Sequence, residues 1–449
     1  MCILFTVGNN GLTYFNTAAL ISSVENFPKN RGPIVGILKG YAGLSGAILT
    51  QIYAIVHSPD DAALLFMVAV GPAMVVISLM FIVRPVGGHV QARPSDGISF
   101  TFVHGVCLVL AAYLMGVMLL EDLVGLSQTL TFVCTIVLMV LLLVPVAIPV
   151  ILSFFSNDDE VVYAALLPAA SPRKEEAHAG SVPFEEEQRE VLVISEERDE
   201  GRKLGPRRGE DFTLLQAIIK ADFWLLFSSL LLGSGSGLTV FDNLGQMSQS
   251  LGYEETHIFV SMISIWSFLG RIAGGYFSEI AVKDYAYPRP IALVAAQVLM
   301  AIGHFTFAMA WPGTMYIGTL LIGLGYGAHW VIVPVAASEL FGVKNFGTVF
   351  NFLTVATPIG SLVFSGIIAS GIYDYEAKKQ AHQYNPTLPD RLLGMVSDVS
   401  PALKCEGSIC FFISSLIMSG FCVIAIILSL ILVHRTKIVY TNLYGKPRT

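Results

Sequence analysis

Long apolar stretches recur along this chain and restrict its fold more than any other feature. A helix that crosses a bilayer needs about 20 predominantly apolar residues. Eleven stretches meet that requirement: 2–24, 33–56, 63–83, 98–120, 128–153, 220–240, 257–279, 290–311, 314–337, 346–371 and 409–433. Because hydrocarbon offers no partner to the backbone, helices that satisfy their own hydrogen bonds are expected. The sequence therefore predicts an all-α, polytopic membrane protein with about 11 transmembrane helices.

The charge composition agrees with a lipid environment. Only 13% of the residues are charged and 54% are hydrophobic, whereas a soluble domain carries about 25% charged residues. The net charge of −7 lies in one segment, because residues 157–211 contain 15 acidic and 8 basic residues. The rest of the chain lacks the basic bias that nucleic-acid binding needs. The lipid bilayer is therefore an expected partner, and nucleic acid is not.

A polar segment divides the apolar stretches into two groups. Residues 156–212 are rich in Glu, Arg, Pro and Ala, a composition typical of a solvated, disordered linker. Three spans lie in residues 1–97, a further helix pair in 98–155 and six spans in 213–449. We predict a partial N-terminal bundle, an extra helix pair, a cytoplasmic linker and a C-terminal six-helix bundle, in that order.

The distribution of Lys and Arg predicts the orientation in the membrane, since cytoplasmic loops are enriched in both. Alternate loops and the C-terminal tail contain them: Lys29, Arg31, Arg84, Arg93, Lys283, Arg289, Lys344, Arg435, Lys437, Lys446 and Arg448. The loop at 372–408 is an exception. The linker and the C-terminus are predicted to be cytoplasmic. The choice between the plasma membrane and vacuolar or other endomembranes stays open.

Two loops share a motif that indicates an internal repeat. Residues 25–32 read ENFPKNRG and residues 339–347 read ELFGVKNFG, and both lead into a Gly-rich apolar stretch. Repeats of this kind are how many transporters are built. In the second group, three spans precede the helix that ends at this motif, and in the first group none do. We therefore expect about three further helices to be missing before residue 1.

Several segments resemble one family of membrane proteins. TYFNTAALISSVENFPKNRGPIVGILKGYAGLSGAILTQIY (13–53) is similar to the nodulin-like domain of plant major facilitator superfamily proteins. Three more segments resemble the C-terminal half of those proteins: GSGSGLTVFDNLGQMSQSLGY (233–253), SIWSFLGRIAGGYFSE (264–279) and LLIGLGYGAHWVIVPVAASELFG (320–342). The resemblance implies two major-facilitator-like helical bundles with an extra helix pair before the linker. The family's first three helices are absent from this sequence.

Polar residues in the first two spans are candidates for the wall of a solute pathway, since polar groups in hydrocarbon face a cavity or another helix. Asn9, Thr13 and Asn16 recur on one helical face, where interhelical hydrogen bonding is the alternative. Lys39 is a candidate for binding an anion, or its charge reaches the interface along a flexible stem. The same span has a stripe of small residues that lets another helix approach: Gly32, Gly36, Gly40 and Gly43.

The sixth and ninth spans contain further candidates for the pathway. Asp242, Asn243 and Gln246 follow a GSGSG sequence, which would weaken the helix and free backbone groups for a ligand. A plain helix terminus that meets water is the alternative. His329 and Trp330 lie near mid-membrane in the ninth span. They bind solute, or His329 is hydrogen-bonded to a neighbouring helix.

Three charged residues at the inner ends of spans are predicted to form a gate. Arg271 in FLGRIAGGYFSE, followed by Glu279, resembles the charged loop of the superfamily, whose ion pairs hold the cytoplasmic side closed. Glu339 ends the ninth span and is expected to pair with Arg or Lys. Arginine can form such pairs through two hydrogen bonds. Positive-inside anchoring is the alternative for Arg271.

No motif in the sequence predicts catalysis or a bound cofactor. Nucleophile elbows, phosphate loops and zinc-ligand spacings have no match in a suitable setting. We therefore expect no enzyme activity, no cofactor and no metal. Cys405 and Cys410, which flank the start of the last span, form either a disulfide or two free thiols.

The sequence predicts a secondary transporter that moves a small solute by alternating access. Lys39, His304, His329 and Arg271 favour an organic anion, whereas Asp242 favours a cation or a coupled proton. The alternative is a non-transporting membrane protein, or an inactive truncated fragment, that acts through helix assembly. The oligomeric state is open.

Overall fold

The computed structural model describes residues 2–28, 30–56, 74, 77–78, 95–124, 127–147, 206–253, 256–384 and 404–444, and every regular element within them is helical. The first half contains α1 (Cys2–Asn26), α2 (Arg31–Val56), α3 (Ser95–Val124) and α4 (Gln128–Leu143), followed by a 3₁₀ turn (Val144–Val146). The second half contains α5 (Leu214–Ile218), α6 (Ala221–Ser250), α7 (Thr256–Tyr285), α8 (Pro290–Met309), α9 (Thr314–Leu340), α10 (Phe346–Thr354), α11 (Ala356–Gly360), a π-helical segment (Ser361–Ala369), α12 (Ser370–Tyr384) and α13 (Ile409–Tyr444).

Seven stretches of helix in the described part of the chain are long and apolar enough to cross a membrane. They are Ser99–Leu120, Ala221–Ser250, Ile258–Tyr285, Pro290–Met309, Thr314–Leu340, Phe346–Gln383 and Ile409–Tyr444. The all-helical, multi-pass architecture is confirmed for these residues, and the count of eleven spans stays a prediction. The predicted span at 63–83 lies outside the described residues apart from 74, 77 and 78. Residues 148–155 of the predicted helix pair and 156–205 of the predicted linker lie outside them as well.

The helices of the second half pack around a shared apolar core. α7 packs on α9, α8 packs on α9 and α13, and α6 packs on α13, α11 and α9. Large aliphatic and aromatic side chains fill the interior: Leu226, Leu293, Val331, Val335, Phe350 and Leu432. Because lipid tails are as apolar as leucine, these helices are held together mainly by close packing and by hydrogen bonds.

The first half joins this core through α2 and α3. α2 packs along α7 and also contacts α9, and α3 packs on α7. Leu44, Leu110 and Phe268 belong to one apolar cluster that connects these helices. A Cβ atom on Gly32 would lie only 2.5 Å from the carbonyl oxygen of Gly275. The glycine stripe of α2 is therefore a surface for close contact with α7.

α6 is continuous through its glycine-rich sequence. The expected weakening at GSGSG is wrong, since the helix runs unbroken for 30 residues. The glycines instead make room for neighbouring groups. A Cβ atom on Gly233 would lie 2.4 Å from His329 Nε2, and one on Gly235 would lie 2.8 Å from the Cα atom of Gly360. Close packing accounts for both glycines.

Two local structures hold loops against the helix ends. The last residues of the predicted linker are packed against the bundle, because Asp222 accepts hydrogen bonds from both Arg208 and Arg435. Elsewhere, Cys405 and Cys410 form a disulfide, which is one of the two states that the sequence left open. Both structures restrain loops that join the membrane helices.

Candidate functional site

Two clusters of buried charge lie where α2 meets the helices of the second half. One surrounds Arg289, and the other contains Lys39 and Arg271. The contact between α2 and α7 positions both of them. They differ in whether carboxylates of the protein neutralise the cations.

Arg289 lies at the N-terminus of α8, immediately before Pro290, a residue that suits the first turn of a helix. Its side chain has no exposed surface. The Nε and Nη2 atoms donate hydrogen bonds of 2.6–3.0 Å to the Glu339 carboxylate. Nη2 also donates to Glu279 Oε2, and Nη1 to Ser278 Oγ, both at 3.0 Å. The guanidinium is therefore neutralised by carboxylates on two helices.

The Glu339 carboxylate has further partners on α13. The hydroxyls of Tyr440 and Tyr444 donate to it at 2.8 Å and 3.0 Å. Burial alone would lower the pKa of Arg289, but the Glu339 and Glu279 carboxylates raise that pKa well above its ordinary value. Arg289 is thus a permanent cation with fixed counter-charges. We call the following set the Arg289 cluster: Ser278, Glu279, Arg289, Glu339, Tyr440 and Tyr444.

The Arg289 cluster reaches α2 through the backbone. The N–H of Gly32, in the first turn of α2, donates to Glu279 Oε2 at 3.0 Å. A first-turn N–H has no partner within its own helix and can bind an outside acceptor. Glu279 also pairs with Lys283 at 3.3 Å, and Lys283 Nζ donates to Asn30 Oδ1 at 2.6 Å. This end of α2 is therefore attached to α7 by hydrogen bonds as well as by packing.

Arg271 does not belong to this cluster. The sequence predicts one gate of Arg271, Glu279 and Glu339, but both glutamates pair with Arg289. Arg271 precedes Glu279 by eight residues in one continuous helix, about 12 Å along the axis, which is too far for an ion pair. The sequence predicts only positive-inside anchoring for Arg289, because nothing about a single Arg in a short loop indicates that its side chain is buried. Its position between two prolines is the signal that could have identified it.

Lys39 is buried in α2, with 3% of its surface exposed. Its Nζ donates to Asn16 Oδ1 on α1 at 3.0 Å. The same atom lies 5.9 Å from the ring centre of Trp330 and 5.4 Å from that of Phe350, where the ring faces attract a cation. Three predicted pathway residues thus lie together. Among the residues that the structure describes, no carboxylate forms an ion pair with Lys39.

Arg271 lies near the middle of α7 and reaches α2. Its Nη1 donates to the backbone oxygen of Lys39 at 2.6 Å. This approach requires Gly43, because a Cβ atom there would lie 2.4 Å from Nη1. Arg271 Nε and Trp330 Nε1 are buried and have no hydrogen-bond partner within the described ranges, a rare condition in native proteins. We call Lys39 and Arg271 the cation pair.

The candidate residues of α6 separate into exposed and buried ones. Asp242 and Gln246 are exposed, and Asp242 Oδ2 accepts a hydrogen bond from Ser361 Oγ at 2.8 Å. Asn243 is buried and donates to Ser365 Oγ at 2.8 Å. Asn243 therefore joins α6 to the π-helical segment. Asp242 has the open surroundings that a gate or a proton site would need.

His329 lies within the bundle of the second half. Its Nδ1 is 2.8 Å from the Gly325 carbonyl oxygen, and its Nε2 is 3.4 Å from Gln297 Nε2. Gln297 also bonds to Ser229 and Ser429, at 2.7 Å and 2.9 Å. This buried network joins α6, α8, α9 and α13. The geometry favours the alternative in which His329 is hydrogen-bonded to a neighbouring helix.

Two predicted pathway residues are only partly placed. The backbone of Asn9 and Thr13 belongs to α1, but their side chains lie outside the described part of the structure. Within that part, no group of His, Cys, Asp and Glu side chains could hold a metal ion. The candidate site is the cation pair with Asn16, Trp330 and Phe350, which surround Lys39.

A cavity of about 420 Å³ opens beside the Arg289 cluster. Two of the carboxylates on its wall are already bound. Glu339 is held by Arg289, and Asp211 Oδ1 accepts hydrogen bonds from the backbone N–H groups of Val343 and Lys344. The cavity also lies at helix ends, whereas a site reached from both sides of a membrane lies near the midplane. The cation pair is thus the better candidate for a solute site.

Two family models match the chain. The Nodulin-like model matches residues 1–150, and the model of the NFD4 C-terminal domain matches residues 210–385. Lys39 lies in the first match, and Arg271 lies in the second. The cation pair therefore brings together residues from both matched domains.

Named relatives cover different shares of the chain. Protein NUCLEAR FUSION DEFECTIVE 4 of Arabidopsis thaliana is 25% identical over 96% of this chain and 71% of its own length. Probable transporter mch1 of Aspergillus fumigatus is 24% identical over 34% of this chain and 31% of its own length. Uncharacterized MFS-type transporter YhjX of Escherichia coli is 27% identical over 34% of this chain and 38% of its own length. The two domain matches, with similarity along nearly the whole chain to a plant protein, show that this chain belongs to the plant nodulin-like family.

Proposed function

We propose that the chain is a secondary transporter that carries a small organic anion across a membrane by alternating access. The observation that supports this function most directly is Lys39, a buried cation in an apolar helix with no carboxylate beside it in the described residues. An ionised side chain in hydrocarbon is costly and marks a substrate path or a partner. An anion that reaches Lys39 would supply the missing partner.

The proposed fold is major-facilitator-like, with about 11 spans. It would comprise a partial N-terminal bundle (1–97), an extra helix pair (98–155), a cytoplasmic linker (156–212) and a C-terminal bundle (213–449). Relatives named as a probable transporter and an MFS-type transporter support this proposal. The linker and the C-terminus would face the cytoplasm, as the distribution of Lys and Arg indicates.

The contact between α2 and α7 suits the movement that alternating access requires. In that mechanism one bundle rocks against the other around a fixed site. Small residues line part of the contact, where Gly32 and Gly36 lie against Gly275, so few side chains interlock at that end of α2. One hydrogen bond, from Gly32 N–H to Glu279, connects α2 to the Arg289 cluster. Breaking that bond would separate α2 from the Arg289 cluster while the rest of the cluster stays intact.

An ion gradient would drive the transport, and Asp242 is the residue that we propose for proton coupling. It is exposed and accepts one described hydrogen bond, from Ser361. A proton or a cation could reach a carboxylate in such surroundings without disturbing the helix packing. Gln246 lies one turn further along α6 and is exposed as well, which places two exposed polar side chains on one side of the helix.

Uptake into proteoliposomes tests the proposal. The purified 449-residue chain would be offered labelled organic acids and amino acids, with and without a pH gradient. We expect saturable uptake of at least one organic acid. Lys39→Met should abolish it, and Lys437→Gln, which changes an exposed lysine at the end of α13, should retain it.

Two outcomes would overturn parts of this proposal. Equal uptake by Lys39→Met and the original chain would remove Lys39 from the solute path. If a monodisperse, cooperatively folded preparation takes up nothing in the panel, transport of organic acids is overturned. The helix-assembly alternative would then be favoured.

A further inference from the structure

We infer that Lys39 and Arg271 together form one binding site for a small dicarboxylate. The inference rests on the proposed transport function and adds to it a second binding residue and the charge of the solute. Arg271 then binds solute directly and is not part of a gate.

Arg271 reaches across the contact between α2 and α7 to the turn that carries Lys39. Arg271 Nη1 donates to the backbone oxygen of Lys39 at 2.6 Å, so the guanidinium lies against the turn of α2 that carries Lys39. From that same turn the Lys39 side chain extends to Asn16 on α1 and to the rings of Trp330 and Phe350. A solute at this junction of α1, α2, α7 and α9 can contact both cations.

Both cations have hydrogen-bonding capacity that the described residues do not use. A guanidinium has five N–H donors, yet the described partner of Arg271 is one neutral carbonyl oxygen, and its buried Nε has none. Lys39 has three N–H donors, one of which reaches Asn16. Trp330 Nε1 adds another buried donor without a described partner. Carboxylates match this set, because they accept hydrogen bonds and donate none.

The charge of the site favours two carboxylates over one. Throughout the described part of the chain, neither Lys39 nor Arg271 forms an ion pair. Like charges repel each other, and the buried Lys39 has also lost most of its hydration. A monocarboxylate would neutralise one cation and leave the other uncompensated, whereas a dicarboxylate neutralises both. At Arg289, by contrast, the chain supplies two glutamates of its own.

A short carbon chain suits the close packing around the cation pair. Arg271 Nη1 lies so close to α2 that a Cβ atom on Gly43 would be 2.4 Å away. The Trp330 and Phe350 rings lie within 6 Å of Lys39 Nζ, at 5.9 Å and 5.4 Å to their centres. The guanidinium would bind one carboxylate through two parallel hydrogen bonds, and Lys39 would bind the other as a point charge. The methylene groups between them would pack on the rings.

Matched pairs of solutes test this inference by isothermal titration calorimetry on the purified chain. Malonate and succinate are compared with malonamate and succinamate, in which a neutral amide of similar size replaces one carboxylate. We expect each dicarboxylate to bind at least about tenfold more tightly than its half-amide, because the half-amide leaves one buried cation without a counter-charge.

Variants of Arg271 separate a binding role from a structural one. Arg271→Gln should bind a dicarboxylate and its half-amide equally well. Arg271→Lys keeps the positive charge and should restore the preference in part. Lys437→Gln, at an exposed position, is the control and should match the original chain. Gel filtration would show that each variant is folded and monodisperse.

The outcomes distinguish this inference from the proposed transport function. Equal affinity of the original chain for succinate and succinamate would overturn the dicarboxylate site. An undiminished preference in Arg271→Gln would remove Arg271 from it. If none of the four probes binds, the inference also fails, yet uptake of another acid that depends on Lys39 would leave the transport function intact. Failure of all uptake, together with absent binding, would overturn both.

Discussion

Arg289 and Arg271 both lie where α2 contacts the second half of the chain, yet their surroundings differ. Arg289 has no exposed surface and binds two carboxylates and a serine hydroxyl. Arg271 binds a neutral carbonyl oxygen, and its buried Nε has no partner in the described residues. The protein neutralises Arg289 with its own carboxylates, whereas Arg271 has no counter-charge among the described residues. The difference indicates a structural role for Arg289 and a binding role for Arg271.

The two arginines also differ in the energy of their burial. Burying an ion costs several kcal/mol, and its attraction to a well-placed counter-ion offsets that cost. The two glutamates provide this offset at Arg289. No described carboxylate provides such an attraction at the cation pair. The charges of Lys39 and Arg271 therefore lower the stability of the folded state. Natural proteins tolerate such local instability at functional sites, where stability and activity conflict.

The largest expected effect is that of Arg289→Met. The change leaves Glu339 buried without its counter-charge and Glu279 paired with Lys283 alone, which should lower the free energy of unfolding by about 3–5 kcal/mol. Unfolding of the purified protein in detergent measures the loss, with Lys437→Gln as the control. An unchanged free energy would contradict the structural role. Should this variant fail to accumulate, Tyr440→Phe, which removes one hydrogen bond to Glu339, should lose about 1 kcal/mol.

Lys39→Met should act in the opposite direction. It replaces an un-neutralised cation by an apolar side chain of similar length, so the free energy of unfolding should stay the same or rise by about 1–2 kcal/mol. Binding of anions should be lost in the same preparation. The unfolding measurement used for Arg289→Met applies here. A destabilisation as large as that of Arg289→Met would show that the protein itself neutralises Lys39, and the comparison would fail.

Gly43→Ala should weaken binding without a large loss of stability. The new Cβ atom would lie 2.4 Å from Arg271 Nη1 and 2.8 Å from its Cζ atom, so the long side chain must move away from α2. We expect affinity for a dicarboxylate to fall about tenfold, or about 1.4 kcal/mol in calorimetry. Gly116→Ala in α3, where nothing lies within 4 Å, is the matched control. Unchanged affinity in Gly43→Ala would contradict the assigned position of Arg271.

The smallest expected effect is that of His329→Gln. The change removes the contact of Nδ1 with the Gly325 carbonyl oxygen and alters the one with Gln297, which together should cost about 1 kcal/mol. The KM for uptake should not change, because His329 does not belong to the cation pair. Uptake kinetics of the variant and the original chain measure this directly. A KM that rises severalfold would place His329 in the solute path, as the sequence predicts.

The sequence predicted the described helices well because lipid imposes a simple rule on the backbone. Each span must satisfy its own hydrogen bonds over about 20 residues, so hydropathy alone located α6 to α9. The span predicted at 220–240 ends too early, because α6 continues to Ser250 through exposed polar residues such as Asp242 and Gln246. The glycines of α6 were misjudged because a sequence does not show which helix approaches them.

The candidate site was predictable residue by residue but not as an arrangement. Asn16 and Lys39 were identifiable because polar groups are rare in apolar helices. Which arginine meets Glu279 and Glu339 was not, because pairing depends on how α7, α8 and α9 face one another. Arg289 resembles an ordinary loop cation in the sequence, and Arg271 resembles part of a gate. The packing of the helices shows instead that Arg289 pairs with the two glutamates and that Arg271 does not.

Anion-dependent thermal stabilisation tests the central comparison most directly. Four purified proteins would be melted with and without succinate: the original chain, Lys39→Met, Arg271→Gln and Tyr440→Phe. A ligand at 100 times its dissociation constant stabilises the folded state by about 2.7 kcal/mol. We predict that succinate raises the melting temperature of the original chain and of Tyr440→Phe, the latter from a lower starting value, and leaves the two variants of the cation pair unchanged. An equal rise in all four proteins, or none in the original chain, would contradict the account.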